Sequence, residues 1–343
     1  MQHDPIQIER EALRLLPEIL NELFDREGEP LRFGDGGERG VDLIAEGEGR
    51  SWVFEVKSSS SPGLISAAAE QLADFDDRLK VLVVPFMTPA GEKAADRYRL
   101  NWIDLSGNAH IRADQMYVFV KGKPNRFVKR GRPSSPFAPK SARITRLMLL
   151  EPGRWWRRKE IAAATDLNSG QVSRVVKRLL DERLLEQQAN EVRPRDPAAL
   201  LDAWEEEYRF DRHQILRGHA SGSGIELART LGERLGIEGR AHAFTGLPAA
   251  WAFDAFARFR LNSLYVLGDP YEVAEKLEMR VNERGANVQL IAPDDSGVFA
   301  GSRRVEGLVC VSPVQAYLDL KHLPERAPEA AESLRKRRLW DGI

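Results

Sequence analysis

The apolar positions in the first third of the chain follow helical and strand periods in turn. Residues 6–24 have apolar side chains at the spacing of one helix face, which predicts an amphipathic helix. Two strands, 41–45 and 51–57, are predicted next, joined by a turn at Glu46-Gly47-Glu48-Gly49-Arg50. The pattern then predicts a helix at 64–79, a strand at 80–85, a helix at 91–99 and strands at 101–104 and 116–120. This order is typical of an αβ core.

The second strand of the predicted hairpin combines an apolar face with a charged one, because side chains alternate along a strand. One face carries Val53, Glu55 and Lys57, and the other carries Trp52, Phe54 and Val56. The hairpin can place Asp42 opposite Glu55 and Lys57. Burying such charges costs several kcal/mol each unless they are paired or hold a metal ion.

Two carboxylates beside a lysine suit metal-assisted hydrolysis of a phosphodiester. Asp42 and Glu55 are candidate ligands of Mg²⁺, or of Mn²⁺ in its place, and substrate phosphate and water would supply the other ligands. Lys57 can orient the attacking water or stabilise the developing negative charge. The alternative is a solvated hairpin with an incidental Glu-x-Lys. Asp104, at the end of a predicted strand, is interpreted as a turn residue.

The motif GVD, followed by EVKSS and then by a helix that carries Gln71, resembles the PD-(D/E)xK nucleases, with the Holliday junction resolvase and Mrr-type branches most similar. The resemblance covers residues 1–125 and implies a restriction-endonuclease-like αβ core. It also implies that Asp42 and Glu55 bind metal, that Lys57 is the catalytic lysine and that Gln71 is an auxiliary active-site residue. Members often add a glutamate from the first helix, for which Glu11 is the candidate.

Composition favours a globular protein of several domains. The 343 residues are 42% hydrophobic and 30% charged, without an apolar run near the ~20 residues of a membrane helix. The amino terminus has acidic residues and no signal-peptide pattern, so we expect a cytoplasmic protein with no membrane partner. The single cysteine, Cys310, lies in an apolar stretch and is expected to be a buried strand residue.

Charge is distributed very unevenly along the chain. The formal net charge is −1, yet residues 121–180 contain sixteen Lys and Arg against three acidic residues, a net +13. A solvated basic face is the ordinary explanation of a charge run, but an imbalance of this size fits a polyanionic partner such as DNA. Residues 126–140 are expected to be a proline-rich linker whose basic residues, Arg130 and Arg132 among them, follow a phosphate backbone.

Residues 141–200 have the pattern of a winged helix-turn-helix. Helices are predicted from residue 141 to 150, from 158 to 164 and from 169 to 185, the last capped by Asn168 or Ser169. Residues 186–195 are a plausible wing. The residues that we expect to contact duplex DNA are Ser169, Gln171, Ser173, Arg174 and Lys177 on the third helix, and Arg157 and Arg158 at the start of the second. A three-helix module for protein contacts is the alternative.

Residues 201–343 are predicted to form a carboxy-terminal α/β domain, with strands at 241–245, 263–267, 287–291 and 308–312. The glycine-rich run 217–224 lacks phosphate-loop spacing and is interpreted as a flexible connection. Residues 140–340, with SPVQAYLDL as the most specific segment, resemble the AbiE-type antitoxin and transcriptional-regulator family. That resemblance implies an autoregulatory DNA-binding winged helix, with a recognition or regulatory role for the last domain, where a toxin or other protein could bind.

Taken together, the sequence predicts a multidomain α/β protein that is a Mg²⁺-dependent deoxyribonuclease, tethered to DNA by a winged helix and acting in defence against foreign DNA or in DNA repair. One alternative is a non-enzymatic DNA-binding regulator or antitoxin whose first domain is a scaffold. Another is an enzyme that resolves branched DNA as a homodimer. The DNA partner could therefore be duplex or branched.

Overall fold

The computed structural model of the chain describes residues 4–24, 31–35, 41–47, 50–75, 77–113, 116–127, 135–255, 258–324 and 326–339. The chain divides into two compact units, each built from two segments: Met1–Ser135 with Arg174–Glu206, and Pro136–Ser173 with Glu207–Ile343. Each unit combines helices with a seven-stranded mixed sheet, so the predicted α/β class is confirmed.

The first unit begins with a long helix and continues with a sheet that two further helices interrupt. Its elements are α1 (Pro5–Phe24), β1 (Arg32–Asp35), β2 (Leu43–Gly47), β3 (Arg50–Val56), α2 (Pro62–Leu72), β4 (Leu79–Val84), α3 (Pro89–Arg97), β5 (Asn101–Asp104), β6 (Ala109–Ala113) and β7 (Met116–Val120). The strands lie in the sheet in chain order. The pairs β3–β4 and β4–β5 are parallel, whereas the other neighbours are antiparallel.

The alternation of side chains along β3 divides the core of this unit into two layers. Trp52 and Phe54 pack with Leu16 of α1 on one face of the sheet. Val53 packs with Ile65 of α2 on the opposite face. The two faces of β3 are therefore those expected from the sequence, and the helices cover the sheet from both sides. Strands β1 and β6 were not predicted.

The segment after residue 135 follows the predicted order of helices and hairpin. Its elements are α4 (Ala142–Leu150), β8 (Trp156–Arg157), α5 (Arg158–Thr165), α6 (Ser169–Asp181), β9 (Leu185–Gln188), β10 (Glu191–Pro194) and α7 (Pro197–Glu207). Strands β9 and β10 pair antiparallel, with Glu191 opposite Gln188, in the place of the predicted wing. The boundary between the two units falls inside α6, between Ser173 and Arg174. Helix α7 was not predicted, and it runs across the domain boundary expected at residue 200.

The second unit contains the other seven-stranded sheet. Its remaining elements are β11 (Gln214–His219), α8 (Gly224–Ile237), β12 (His242–Phe244), α9 (Gly246–Asp254), β13 (Asn262–Val266), α10 (Pro270–Lys276), β14 (Arg280–Val281), β15 (Val288–Ala292), β16 (Arg303–Val305), β17 (Leu308–Cys310), α11 (Pro313–Leu320) and α12 (Ala327–Arg338). The strand order is β14-β11-β15-β13-β12-β17-β16, with β13–β15 and β12–β17 parallel. Cys310 is buried in β17, as expected.

The glycine-rich run 217–224 is in part a strand, so its interpretation as a flexible connection was wrong. Residues 217–219 belong to β11, where Gly218 lies opposite Val288 of β15 and Val281 of β14. A Cβ atom at Gly218 would collide with the backbone carbonyl of Arg280. The glycine is thus needed because another strand approaches closely, which is a recognised use of glycine in a sheet.

Among the helices of the described residues, none combines the length and the apolar character that crossing a membrane requires.

Candidate active site

The hairpin of β2 and β3 brings Asp42 beside the end of β3. Leu43 pairs with Phe54 in the antiparallel register. Continuing that register by one residue places Asp42 opposite Glu55. The Asp42 carboxylate is half-buried, and its Oδ2 accepts a hydrogen bond of 2.7 Å from the Val56 backbone N–H. This bond fixes the carboxylate against the strand that carries Glu55.

Glu55 is the most deeply buried member of the group, with 3% of its surface exposed. Its Oε1 lies 2.5 Å from Lys57 Nζ, as strand alternation predicts for residues i and i+2 on one face. Its Oε2 is also buried and has no hydrogen-bond partner among the described residues. A buried acceptor without a partner costs about 1–3 kcal/mol, and more when it is charged. This oxygen therefore favours a ligand at the site.

Lys57 is held from two directions. Its Nζ donates to Glu55 Oε1 and, also at 2.5 Å, to Oε1 of Gln71 near the carboxyl end of α2. Its backbone N–H donates to the Val83 carbonyl of β4 at 2.8 Å, which extends the parallel pairing by one residue. The structure thus brings together Asp42, Glu55, Lys57 and Gln71, the four residues that the sequence motif singled out.

The electrostatics of this cluster are dominated by the cost of burying negative charge. Burial raises the pKa of Glu55 above its ordinary value, and the negative charge of Asp42 adds to that rise. The ammonium of Lys57 and a hydrogen bond from the Asp42 backbone oppose it. The pKa of Glu9 on α1 is also raised, first by burial and then by the charge of Asp42, with Lys57 again opposing. A cation bound among these carboxylates would stabilise their ionised forms.

On the first helix, the described interactions connect Glu9, and not the expected Glu11, to the Asp42 cluster. Glu11 Oε2 accepts a hydrogen bond of 2.8 Å from Arg14 Nη2, and Glu11 lines a groove with Leu105 and Arg126. None of the contacts described for Glu11 joins it to the Asp42 cluster. The charges of Asp42 and Lys57, in contrast, shift the pKa of Glu9. Helical periodicity identifies the core face of α1, but it does not show which of the remaining sides lies near the end of β3.

The residues present fit a divalent cation bound by few protein ligands. Among the described residues, no group of three or more His, Cys, Asp or Glu side chains is arranged to hold a metal ion. Mg²⁺, however, is usually bound by one or two carboxylates and keeps several waters or substrate phosphates. Asp42 and Glu55 supply two carboxylates of this kind, and the unpartnered Oε2 of Glu55 is available to a cation.

Asp104 has the turn role expected for it. The side chain is fully buried, and its two oxygens accept hydrogen bonds from the backbone N–H groups of Met87, Ser106 and Asn108 and from the Asn108 amide. These bonds tie the turn between β5 and β6 to the loop after β4. Since its oxygens are used in this way, Asp104 belongs to the frame of the sheet and not to the Asp42 cluster.

Helix α6 presents most of its predicted DNA-contacting side chains to solvent. Ser169, Ser173, Arg174 and Lys177 are exposed, whereas Val172, Val175, Val176 and Leu179 are buried. Gln171 is half-buried and has a second role that was not predicted from the sequence. Its backbone N–H donates to Asn168 Oδ1 at 2.9 Å, and its Oε1 accepts from the Asn168 N–H at 3.3 Å. This reciprocal pair caps the helix, so Asn168 is confirmed as the cap.

The other residues predicted to contact DNA differ in their exposure to solvent. Arg157 is exposed at the start of α5, where its backbone N–H donates to Glu160 Oε2 at 2.9 Å, and Arg158 is half-buried. In the predicted wing, Arg193 pairs with Glu186 at 2.5 Å and Arg195 pairs with Glu70. Arg130 and Arg132 lie outside the described residues.

A buried polar network in the second unit was not predicted. Its centre is Asp319 of α11, which is fully buried. Asp319 Oδ1 accepts hydrogen bonds from Tyr208, Tyr265 and Gln315 at 2.5, 3.0 and 2.8 Å, and Oδ2 accepts one from Thr245 at 2.5 Å. Burial raises the pKa of Asp319 to about 6, although these four donors oppose the rise. With both oxygens hydrogen-bonded, Asp319 acts as a structural centre.

The network extends on two sides of Asp319. Arg146 of α4 is buried and donates to Gln315 Oε1 at 2.6 Å. His213 Nδ1 accepts from the Asp294 backbone N–H at 3.1 Å, so its proton lies on Nε2, which is 3.2 Å from the hydroxyl of Tyr208. Burial lowers the pKa of His213 to about 4. The network therefore joins α4 to the sheet and to α11 within this unit.

A comparison of the chain with protein-family models, with curated proteins and with solved structures found no match in any of the three.

Proposed function

We propose that the protein is a divalent-cation-dependent deoxyribonuclease whose active site is the Asp42 cluster. The observation that carries the proposal is the buried, unpartnered Oε2 of Glu55, which lies on the same residue that pairs with Lys57. A buried carboxylate oxygen without a donor is costly, and a bound cation removes that cost. The adjacent ammonium and amide then give the site a polarity suited to a phosphodiester.

Each residue has a separate task in this proposal. Asp42 and Glu55 would hold Mg²⁺ or Mn²⁺, which supplies charge neutralisation at the phosphate and a water of lowered pKa. Lys57 would donate a hydrogen bond to the attacking water or to a phosphate oxygen, where negative charge develops. Gln71 would keep the ammonium in place, because its Oε1 is the second acceptor of Lys57 Nζ besides Glu55.

DNA binding is proposed for α6. The exposed Ser169, Ser173, Arg174 and Lys177 offer hydroxyl donors and cations of the kinds that contact base edges and phosphates. The Asn168–Gln171 cap gives this helix a defined start. A nuclease with little sequence preference gains local substrate concentration when it is linked to such a module.

The proposal is tested by incubating the purified chain with supercoiled, linear, branched, flapped and single-stranded DNA in Mg²⁺ or Mn²⁺. We expect cleavage of at least one substrate, loss of cleavage in EDTA, and loss in Asp42→Asn and Glu55→Gln with DNA binding retained. Glu18→Gln is the matched control, because Glu18 is an exposed carboxylate of α1. Cleavage that survives in both active-site variants would show a contaminating nuclease and would refute the proposal.

The second candidate function is a DNA-binding regulator without nuclease activity, and the capped, solvent-facing α6 is the observation that favours it. This candidate predicts tight binding to DNA from upstream of the protein's own coding sequence and no cleavage of any substrate. Footprinting on that DNA, in the same buffers as the cleavage assay, separates the two functions.

A further inference from the structure

The last two strands of the sheet in the first unit have an aromatic outer face. In the antiparallel pairing of β6 and β7, His110 lies opposite Phe119 and Arg112 lies opposite Tyr117. Tyr117 is 65% exposed and Phe119 is 53% exposed. The intervening Ile111 is fully buried on the other face of the sheet, in the core. The exposed rings therefore result from ordinary strand alternation, but large aromatic side chains stand where polar ones would be expected.

The two rings are oriented by their neighbours. The His110 ring meets the Tyr117 ring at 5.9 Å and 88°, and it meets the Phe119 ring at 5.2 Å and 76°. Edge-to-face packing of this kind is a favoured arrangement of aromatic side chains. The guanidinium of Arg112 lies 5.9 Å from the centre of the Tyr117 ring. The face is thus a supported arrangement of two exposed rings with a cation beside one of them.

We propose that this face, defined by His110, Arg112, Tyr117 and Phe119, binds single-stranded DNA, with one base stacked on each exposed ring. Residues i and i+2 of a strand are about 6.8 Å apart, twice the rise per residue. That distance is about twice the 3.4 Å rise per nucleotide along one strand of a duplex. The two rings therefore match consecutive bases that are unstacked and unpaired, and duplex DNA cannot offer bases in this way.

The charge near the face favours nucleic acid over a second copy of the chain. Arg112 is exposed and lies on the face itself. Residues 116–127, which are β7 and the described residues that follow it, contain three Lys and Arg and no Asp or Glu. Two carboxylates of α3 lie nearby: Glu92 is paired with Lys121, and Asp96 lies 3.9 Å from His110. The phosphates of a bound strand would therefore meet the positive charge of Arg112 on the face and of the basic residues that follow β7, which attracts them.

This inference does not depend on the nuclease proposal, because the binding needs neither a metal ion nor the Asp42 cluster. It is tested in EDTA by fluorescence anisotropy with a short labelled oligo-dT. A strand of equal length made of abasic nucleotides serves as the matched probe, since it has the same phosphates and no bases. The variants are Tyr117→Ala and Phe119→Ala. The control variant is Tyr271→Ala, because Tyr271 is 57% exposed on α10 of the other unit.

We expect oligo-dT to bind more tightly than the abasic strand, and we expect each alanine variant to weaken oligo-dT binding by about fivefold or more. The abasic strand should bind equally well to all variants, and Tyr271→Ala should bind as the parent does. Tyr117→Trp should retain binding, because it keeps a stacking surface, whereas Phe119→Leu should lose it although the residue stays apolar. The paired outcomes distinguish stacking from a loss of folding.

Three results would overturn the proposal. The first is oligo-dT binding that is unchanged in both alanine variants. The second is an equal loss for oligo-dT and the abasic strand, which would show that only phosphate contacts or folding had changed. The third is that the alanine variants are monomers in light scattering where the parent is a dimer, while oligo-dT binding is unchanged. That result would show that the face joins two copies of the chain.

Discussion

The carboxylate of Asp42 is tied to the backbone of Val56, because Asp42 Oδ2 accepts a 2.7 Å hydrogen bond from the Val56 N–H. This bond crosses the hairpin and ends on the residue next to Glu55, the second residue proposed to hold the metal ion. It fixes the Asp42 carboxylate to the opposite strand, while the Lys57 ammonium holds the Glu55 carboxylate. A site built in this way is prepared for its ligand before the ligand binds.

Gln71 is predicted to act through Lys57. Gln71→Ala removes one of the two acceptors of Lys57 Nζ, so we expect cleavage to fall roughly tenfold or more, as for the loss of a hydrogen bond to a charged group. Lys57→Ala should cost about 10²–10³ in rate, because it removes the donor itself. Single-turnover cleavage measures both effects. Gln71→Glu, which keeps an acceptor, should retain more activity than Gln71→Ala. Equal rates for Gln71→Ala and the parent would show that Glu55 alone positions the lysine.

Glu9 and Glu11 are predicted to differ although they lie two residues apart on α1. Glu9→Gln removes a negative charge that interacts with Asp42, so we expect a severalfold increase in the Mg²⁺ concentration needed for half-maximal cleavage. Glu11→Gln should leave this concentration unchanged, because Glu11 is paired with Arg14. The measurement is a Mg²⁺ titration of single-turnover cleavage. If the half-maximal Mg²⁺ concentration increased for Glu11→Gln and not for Glu9→Gln, Glu11 would be the glutamate that acts at the site, as the family resemblance implies.

The arginine and lysine of α6 are predicted to contact phosphates. Replacing Arg174 and Lys177 by alanine should weaken binding to duplex DNA and reduce the slope of log K against log[salt] by about 0.9 for each lost contact. Arg284→Ala is the control, because Arg284 is an exposed arginine outside α6. Binding isotherms at several salt concentrations give the slopes. A slope that does not change in the double variant would place the DNA elsewhere on the protein.

Local periodicity accounts for what could be predicted from the sequence. The register of the β2–β3 hairpin follows from the alternation of Trp52, Val53 and Phe54, because a slip of one residue would turn the apolar set away from the core. The same reasoning placed Glu55 and Lys57 on one face. A cap at Asn168 or Ser169 followed from residue type and from the apolar spacing after it, and the hydrogen bonds place it at Asn168.

Long-range contacts account for what could not be predicted. The donors to Asp319 include Tyr208 and Thr245, which are 111 and 74 residues away in the chain. No periodic pattern marks them, since Tyr208 follows the end of α7 and Thr245 lies between β12 and α9. The strand nature of Gly218 has the same origin, because it depends on the close approach of Arg280. Similarly, the choice between Glu9 and Glu11 depends on how α1 is rotated above the sheet, which the spacing of its apolar residues defines only approximately.

The Asp319 network is predicted to give the second unit two opposing dependences of stability on pH. The folded pKa of Asp319 is about 6, against an ordinary value of 3.8, so the folded state binds this proton more tightly. Its contribution to stability is present below pH 3.8 and is lost as the pH rises to about 6. The folded pKa of His213 is about 4, against 6.5, so its contribution is present above pH 6.5 and is lost as the pH falls to about 4. Each amounts to about 3 kcal/mol.

Because the two contributions oppose each other between pH 4 and 6, they largely cancel in the parent protein, and single substitutions should separate them. Asp319→Asn leaves only the contribution of His213. The free energy of unfolding should therefore rise more steeply with pH than in the parent. His213→Gln leaves only the contribution of Asp319. Between pH 4 and 6 the free energy of unfolding should therefore fall with pH relative to the parent. Scanning calorimetry between pH 4 and 7 gives the slope of unfolding free energy against pH. The transition to follow is the one whose temperature changes in both variants. Curves that run parallel to that of the parent would show that neither group changes its proton affinity on folding.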